Sequence, residues 1–414
     1  MSESGRLANV FFKPANFFFR EVIDPNLRAA AAVVPLPANL GPLAAFTGTF
    51  TGQGFNTIFR PDSTNTPTPM PVNTTDPPDN VLELNLTAET LSFSNSLGSV
   101  PNRGENNQAD AFLNAVPYLQ SINDVTSGSA TGIHFEPGLW LAVPATTNPN
   151  EPFTVARMAS IPHGTTIIAQ GVALPAIAGK PTITPVDITP FIPPNNKITF
   201  QNQTATNKTT RRIPQDLTAL IASGRITQAI LTDPNTVLRN QITHQAITQT
   251  VVIEISTKPG SPPLSGGPLP TGTNPSAPKF AGGTSNIAFL LGQANPPPGG
   301  PTSNANAVQM DAVFWIETVV YDVQVPAIPA GTPPIVVDPV QKGSVPVVPS
   351  FVAAIPFVPG KGFAGGTVKV ATTQIQYSQK VLLDFNGLSW PHVSVASLVP
   401  AAPVPIPESL LPLT

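Results

Sequence analysis

The sequence predicts a mainly β protein: an antiparallel up-and-down β-barrel of about ten strands, with long Pro-rich loops and a short helical insertion. Three observations predict it. The 414 residues include 52 Pro and 30 Gly. Pro breaks long helices, which excludes bundles and coiled coils, and Gly shows no collagen-like period. Short runs rich in Thr, Val, Ile and Phe recur between Gly, Pro and Asn, which is the pattern of strands and turns. Charged residues are only 10% of the chain. That leaves few Lys to protect open sheet edges, and closing the sheet removes the edges.

The elements follow in chain order. Residues 1–40 carry Phe11-Phe12 and Phe17-Phe18-Phe19 and read as an arm packed on the barrel or on a partner. Strands are expected at 46–59, 81–94, 131–143, 153–160, 165–172, 245–257, 286–292, 307–323, 373–385 and 391–399. A single barrel domain over 41–400 accommodates them. Its insertions fall at about 173–240, 258–283 and 324–366, where Pro favours polyproline-like loops over strands. Within the first, Pro214 to Gly224 has Pro at its start, Asp216 in the first turn and Gly at its end, which is a short capped helix. A second helix is expected through Ile226–Leu231, stopped before Pro234. Residues 401–414 form a Pro-rich tail.

Charge narrows the function classes. The net charge is −3, and the densest basic spot is Arg211-Arg212, which argues against nucleic-acid and membrane-surface binding. Cysteine is absent, so disulfides, thiolate metal sites and Cys nucleophiles are excluded. The first residues lack a basic region followed by an apolar run, and no apolar stretch is long enough to span a bilayer. A cytoplasmic protein without a membrane span is expected.

The four histidines, His134, His163, His244 and His392, lack the close spacing of a zinc site. There is no G-x-S-x-G elbow, P-loop or dinucleotide fingerprint. The carboxylates Glu136, Glu254, Glu317, Asp311 and Asp384 are scattered, so paired acid–base chemistry does not follow from spacing. His392 has the most informative setting. If 392–398 is a strand, His392, Ser394, Ala396 and Leu398 share one face. Small neighbours leave room for a flat, bulky group beside the imidazole. They are equally what a crowded barrel interior would show. Trp390, two residues away, is expected on the same face.

Six segments carry a family resemblance. Leu43 to Gly54 resembles the opening GTW-x-G-x-G strand of the nitrobindins, a haem-binding β-barrel family shaped like lipocalins and fatty-acid-binding proteins, with Phe50 in place of the usual Trp. His134-Phe135-Glu136-Pro137-Gly138 resembles its H-x-E-x-G strand. Ala159 to Ile168 resembles the strand that follows, with Pro162-His163-Gly164 in the turn. Met310–Val320 and Ile375–Phe385 resemble the paired late strands, and Trp390 to Leu398 the closing strand. The order matches the family's, and the excess length falls in the Pro-rich loops.

The resemblance implies haem b, with His392 as the axial iron ligand and Trp390, Ser394 and Ala396 around the cofactor. It implies nitric-oxide binding, peroxynitrite isomerisation or peroxidase-like reactions with small diatomic or peroxide ligands. His163, His134 and Arg157 are the candidates for a distal role; the favoured reading is the plainer one, in which His134 and Glu136 satisfy each other or the backbone at a barrel rim. Two other functions stay open: a barrel holding an apolar small molecule without haem, and an assembly protein that oligomerises through its arm and Pro-rich loops.

Overall fold

A computed structural model describes residues 40–414 apart from 64–66, 78, 149, 259–282, 287–304 and 341–345. Ten long strands form the barrel: β1 (Gly48–Pro61), β2 (Asn80–Phe93), β3 (Ala111–Asp124), β4 (Thr131–Val143), β5 (Thr154–Ser160), β6 (Thr165–Ala173), β7 (Ala246–Ser256), β8 (Asn306–Val325), β9 (Gly366–Phe385) and β10 (Leu388–Pro400). Each pairs antiparallel with the next in chain order, and β1 pairs with β10 to close the ring, from Phe50↔Pro400 to Thr57↔Val393. The expected up-and-down barrel is therefore the architecture found.

The wall closes tightly at the β1–β10 seam. A Cβ at Gly52 would lie 1.9 Å from the Ser397 carbonyl oxygen, and one at Gly54 would lie 2.1 Å from that of Val395. Only glycine lets the strands come so close, which gives the G-x-G of the opening motif a structural reason.

Nine of the ten staves coincide with expected strands; β3 was not expected. Pro117 interrupts its sequence, and Pro rarely occupies a central strand. It is tolerated because, between the ladders to β2 and to the short strand Ser99–Asn102, the neighbour is a linker. There Ser94 N–H donates to the Pro117 carbonyl at 2.9 Å, so no ladder bond is lost. The strand expected at 286–292 lies almost wholly outside the described residues; Gly283–Asn286 form a short strand paired with β6. The arm at 1–40 lies outside them too, but for Leu40.

Alternation sorts the side chains into two cores. Facing in, Phe46, Phe50, Phe93, Trp140 and Phe314 gather with Leu43 and fill one end of the barrel. Facing out, Phe55, Phe59, Leu82, Leu84, Trp315 and Val319 are covered by the segment between β6 and β7. That segment carries α1 (Thr218–Ala222), α2 (Gln228–Thr232) and α3 (Thr236–Ile242). The first two match the expected helices, and Gly224 ends α1 at φ +70°. The third follows Pro234, which starts a new helix after stopping the previous one. Arg212 orders the surrounding loop: its buried guanidinium donates to the carbonyls of Asn202, Thr204, Ala205, Asn207 and Gln215. Among the described residues, no helix is long and apolar enough to cross a membrane.

Candidate functional site

Below the histidine-bearing end, the barrel interior holds a buried layer of charge. Glu136, on β4, is fully buried. Its Oε1 accepts from Arg157 Nη2 at 2.6 Å and from the Tyr118 hydroxyl. Arg157, on β5, also donates through Nε to Tyr118 Oη at 2.7 Å and through Nη1 to Gln379 Oε1 at 2.7 Å. Its guanidinium lies 5.4–5.8 Å from the ring centroids of Tyr118, Trp140 and Phe314, a cation–π setting that helps hold a desolvated charge. A Cβ at Gly138 would fall 2.6 Å from the Tyr118 ring, so the glycine of H-x-E-x-G makes room for the phenol that binds the motif's own Glu.

A second carboxyl lies across the layer. Tyr377 Oη donates to Glu89 Oε2 at 2.6 Å, and Thr87 Oγ1 donates to Glu89 Oε1 at 2.7 Å. Gln120 joins the two halves, its Nε2 lying 3.1 Å from Tyr377 Oη and 3.4 Å from Glu89 Oε2. The two carboxyls differ in charge. Burial acts to raise the Glu136 pKa, but Arg157, His134 and Tyr118 outweigh it and hold it at about 2. Glu89 meets only neutral groups directly, and burial pushes its pKa up.

Toward the open end come the histidines. His134, two residues from Glu136 on the same inward face, places Nε2 3.1 Å from Glu136 Oε2 with its side chain 15% exposed. His163, on the exposed β5–β6 turn, stands edge-on to His134 with ring centroids 5.1 Å apart. His392, on β10, is half-buried. Burial, and then the neighbouring His134 and His163, lower its pKa to about 3, so its imidazole is neutral. Its Nε2 accepts from Asn56 Nδ2 at 2.8 Å, and the same amide nitrogen donates to Ser394 Oγ at 2.8 Å. Asn85 Nδ2 in turn reaches Asn56 Oδ1 at 3.4 Å.

The fold thus brings His392, His134, Arg157, Ser394 and Ala396 to one interior, with His163 beside His134 on the exposed turn. It separates Trp390 from them, a correction to the expected shared face. The Trp390 ring stacks on Phe385 at 4.5 Å between centroids, lies 5.1 Å from Phe59 and from Phe200, and donates Nε1–H to the Phe385 carbonyl. Phe59 faces outward on β1, whereas Asn56, the partner of His392, faces inward. Trp390 is on β10 opposite Leu383, and its ring turns into the aromatic cluster of Phe385, Phe59 and Phe200. His244 is distant too, exposed between α3 and β7.

Sequence reading missed Asn56, Glu89, Tyr118, Gln120, Tyr377 and Gln379. Tyr118 and Gln120 were hidden with β3 behind Pro117. Polar residues alternate over 374–381, a pattern that does not say which face turns in: Tyr377 and Gln379 take the inner one, Gln374 and Gln376 the outer.

The donor chemistry at His392 suits haem iron. An iron ligand must be a neutral imidazole with a lone pair on the coordinating nitrogen, and accepting from the Asn56 amide gives Nε2 that form. An iron bond would replace the bond to Asn56. Among the described residues, no three His or carboxylate side chains form a cage for a bare metal ion, and a single imidazole suffices for a porphyrin iron.

No protein-family model matches the chain, and no curated protein does. A solved structure, the crystal structure of Rv2717c from M. tuberculosis, aligns over 89% of this chain and 100% of that one at 10% identity, with a TM-score of 0.31. That likeness is too slight to bear on the site, which rests on its own geometry.

Proposed function

We propose that the barrel binds haem at its histidine-bearing end, with His392 as the axial ligand, and presents it to small oxidants or nitrogen oxides. One observation carries the reading: a neutral, half-buried imidazole, fixed on a barrel strand beside Ser394 and Ala396, with its Nε2 lone pair directed at an exchangeable amide. The segments that resemble the nitrobindins support it. All six lie wholly or largely on barrel staves, and the two late ones pair directly, Ile316 opposite Ile375.

Haem bound there would supply an iron with one position left for nitric oxide, peroxynitrite or peroxide. The chain's own residues do the rest. Ser394 and Ala396 leave space beside the imidazole. In the haem-free chain Asn56 occupies the Nε2 lone pair, a bond that an incoming iron would displace. The buried layer fills the barrel below the site, so a porphyrin held by His392 would have to sit on the histidine side of that layer. The same layer counts against the alternative of an apolar molecule inside the barrel, because the interior midsection is occupied by Glu136, Arg157, Glu89 and their partners.

The test is an absorption titration with hemin, wild type beside His392→Ala. A sharp Soret band in wild type that is lost or shifted in the variant is expected. Matching spectra would remove His392 from the role and overturn the reading.

A further inference from the structure

The outer wall of the barrel differs between its two sides. The segment between β6 and β7 covers outward residues of β1, β2 and β8, and among the described residues none of the buried members of that outer core comes from β3 to β6. An antiparallel wall left facing water normally turns polar residues outward. This one does not. The outward positions of β4 are Phe135, Pro137, Leu139, Leu141 and Val143, all apolar and all half-buried. The ladder carries the row across the wall: Pro117 of β3 pairs with Leu139, Leu139 with Met158 of β5, and Met158 with Ile168 of β6. Met158 is 39% exposed and Ile168 45%. In the next row, Ala115, Leu141 and Ala156 stand opposite one another. The outward positions of β4, β5 and β6 carry no charged side chain. A contiguous apolar face of this kind marks a docking surface.

The chain itself holds a segment that fits. Five of its 22 Phe fall within residues 11–19, as Phe11-Phe12 and Phe17-Phe18-Phe19, with Lys13 the one charged residue among them. The described chain begins beside the face. Leu40 leads into the turn Gly41–Ala45, which packs on β4. A Cβ on Gly41 would lie 3.1 Å from the ring of Phe153, the residue before β5. This is the rim at which Val143 pairs with Thr154. From Val143 to Phe135 the face runs about 26 Å along β4. Residues 20–39 can span up to about 70 Å, so Phe17–Phe19 can reach any point on it.

We propose that the outer face of β4–β6 is the docking surface of this chain's own N-terminal arm, with Phe11–Phe19 laid across Leu139, Met158 and Ile168 of the same molecule. The arm matches the face in three respects: it is apolar, it is nearly uncharged, and it is tethered at the edge of the face. Docking withdraws two apolar surfaces from water at once. It is independent of the haem reading, because the face lies on the outside of the wall whose inside carries Glu136 and Arg157.

The test is cross-linking in the full-length chain. It has no cysteine, so two introduced thiols are its only ones. Phe18→Cys together with Met158→Cys, treated with a short bismaleimide, should cross-link within the monomer roughly tenfold faster than Phe18→Cys together with Val336→Cys, because docking raises the effective concentration of the first pair. Val336 is 62% exposed and lies over the other wall, in the strand Ile335–Val337. Equal rates for the two pairs overturn the proposal. So does a cross-linked dimer in place of the cross-linked monomer, which would seat the arm on a second copy. A dye that fluoresces on apolar surfaces gives a second readout. The full chain with Phe17→Ser, Phe18→Ser and Phe19→Ser should bind severalfold more dye than wild type, because the wall is uncovered. If the arm stands off the barrel, its own phenylalanines hold dye and the same variant lowers or keeps the signal, which overturns the proposal.

Discussion

Glu136 and Glu317 are two carboxyls on the same barrel wall, both essentially inaccessible to solvent, and they resolve burial in opposite ways. Glu136 faces in, meets Arg157, and stays ionised with a pKa near 2. Glu317 faces out on β8, beneath the segment that follows α3, and its partner is an amide: Gln374 Nε2 donates to it at 2.5 Å. Gln374 is held by Gln245 at 2.8 Å and by Gln241 at 3.2 Å. Among the described residues no cation enters that cluster, and burial pushes the Glu317 pKa up to about 8. Equal burial thus has opposite outcomes, decided by whether a guanidinium is within hydrogen-bond reach. The inner layer keeps a charge that can orient a histidine, whereas the outer one keeps a proton and serves as neutral packing.

The contrast breaks most sharply at Arg157. Arg157→Met leaves Glu136 buried without its cation and should cost about 3–5 kcal/mol in urea unfolding at neutral pH. The cost should shrink on acidification as Glu136 takes up a proton. A loss below about 1 kcal/mol would mean that the inner layer does not depend on its ion pair.

The outer carboxyl sets a pH slope of the opposite sign. The folded Glu317 pKa of about 8 lies above the ordinary 4.5. Between these values the folded chain holds a proton that the unfolded chain has released, so stability falls by roughly 1.4 kcal/mol per pH unit as pH rises. Glu317→Gln should remove that slope, gaining a few kcal/mol at pH 8 with little change at pH 5. Urea midpoints across that range measure it; a variant with the wild-type slope would show that Glu317 is not its source. Glu136 runs the other way: its contribution is full above pH 4.5 and is lost as pH falls toward 2.

The smallest effect belongs to Asn56. Asn56→Ala removes the amide bonded to His392 and Ser394 and should cost about 1 kcal/mol of stability. Because it frees Nε2, hemin affinity should hold or improve. A weakened Soret band would show instead that Asn56 orients the ligand more than it competes for it.

Much of the frame was legible in the sequence because a half-buried stave repeats every two residues, and β7 and β9 show that alternation over 248–255 and 374–381. His392 and its small neighbours were legible for the same reason. The inner layer was not. Its members come from β2, β3, β4, β5 and β9, and only ring closure brings Tyr377 and Gln379 of β9 across to Glu89 and Arg157. Trp390 was misread because alternation gives only a backbone position: the residue lies on β10 opposite Leu383, but its ring turns into the cluster of Phe385, Phe59 and Phe200. Glu317 gave no local sign of its protonation, since the absence of a cation around it is a property of packing.

The seam between β1 and β10 has a consequence for biosynthesis. Its ladder joins residues 50–57 to residues 393–400, so the first stave made must wait for the last. Until β10 is available, a growing chain holds at best an open sheet whose two bare edges can recruit strands from neighbours. Pairing at such sequence separation is also slow. Ring closure therefore waits until β10 has been made, and the interval before it is the period in which this chain most needs protection from its own copies.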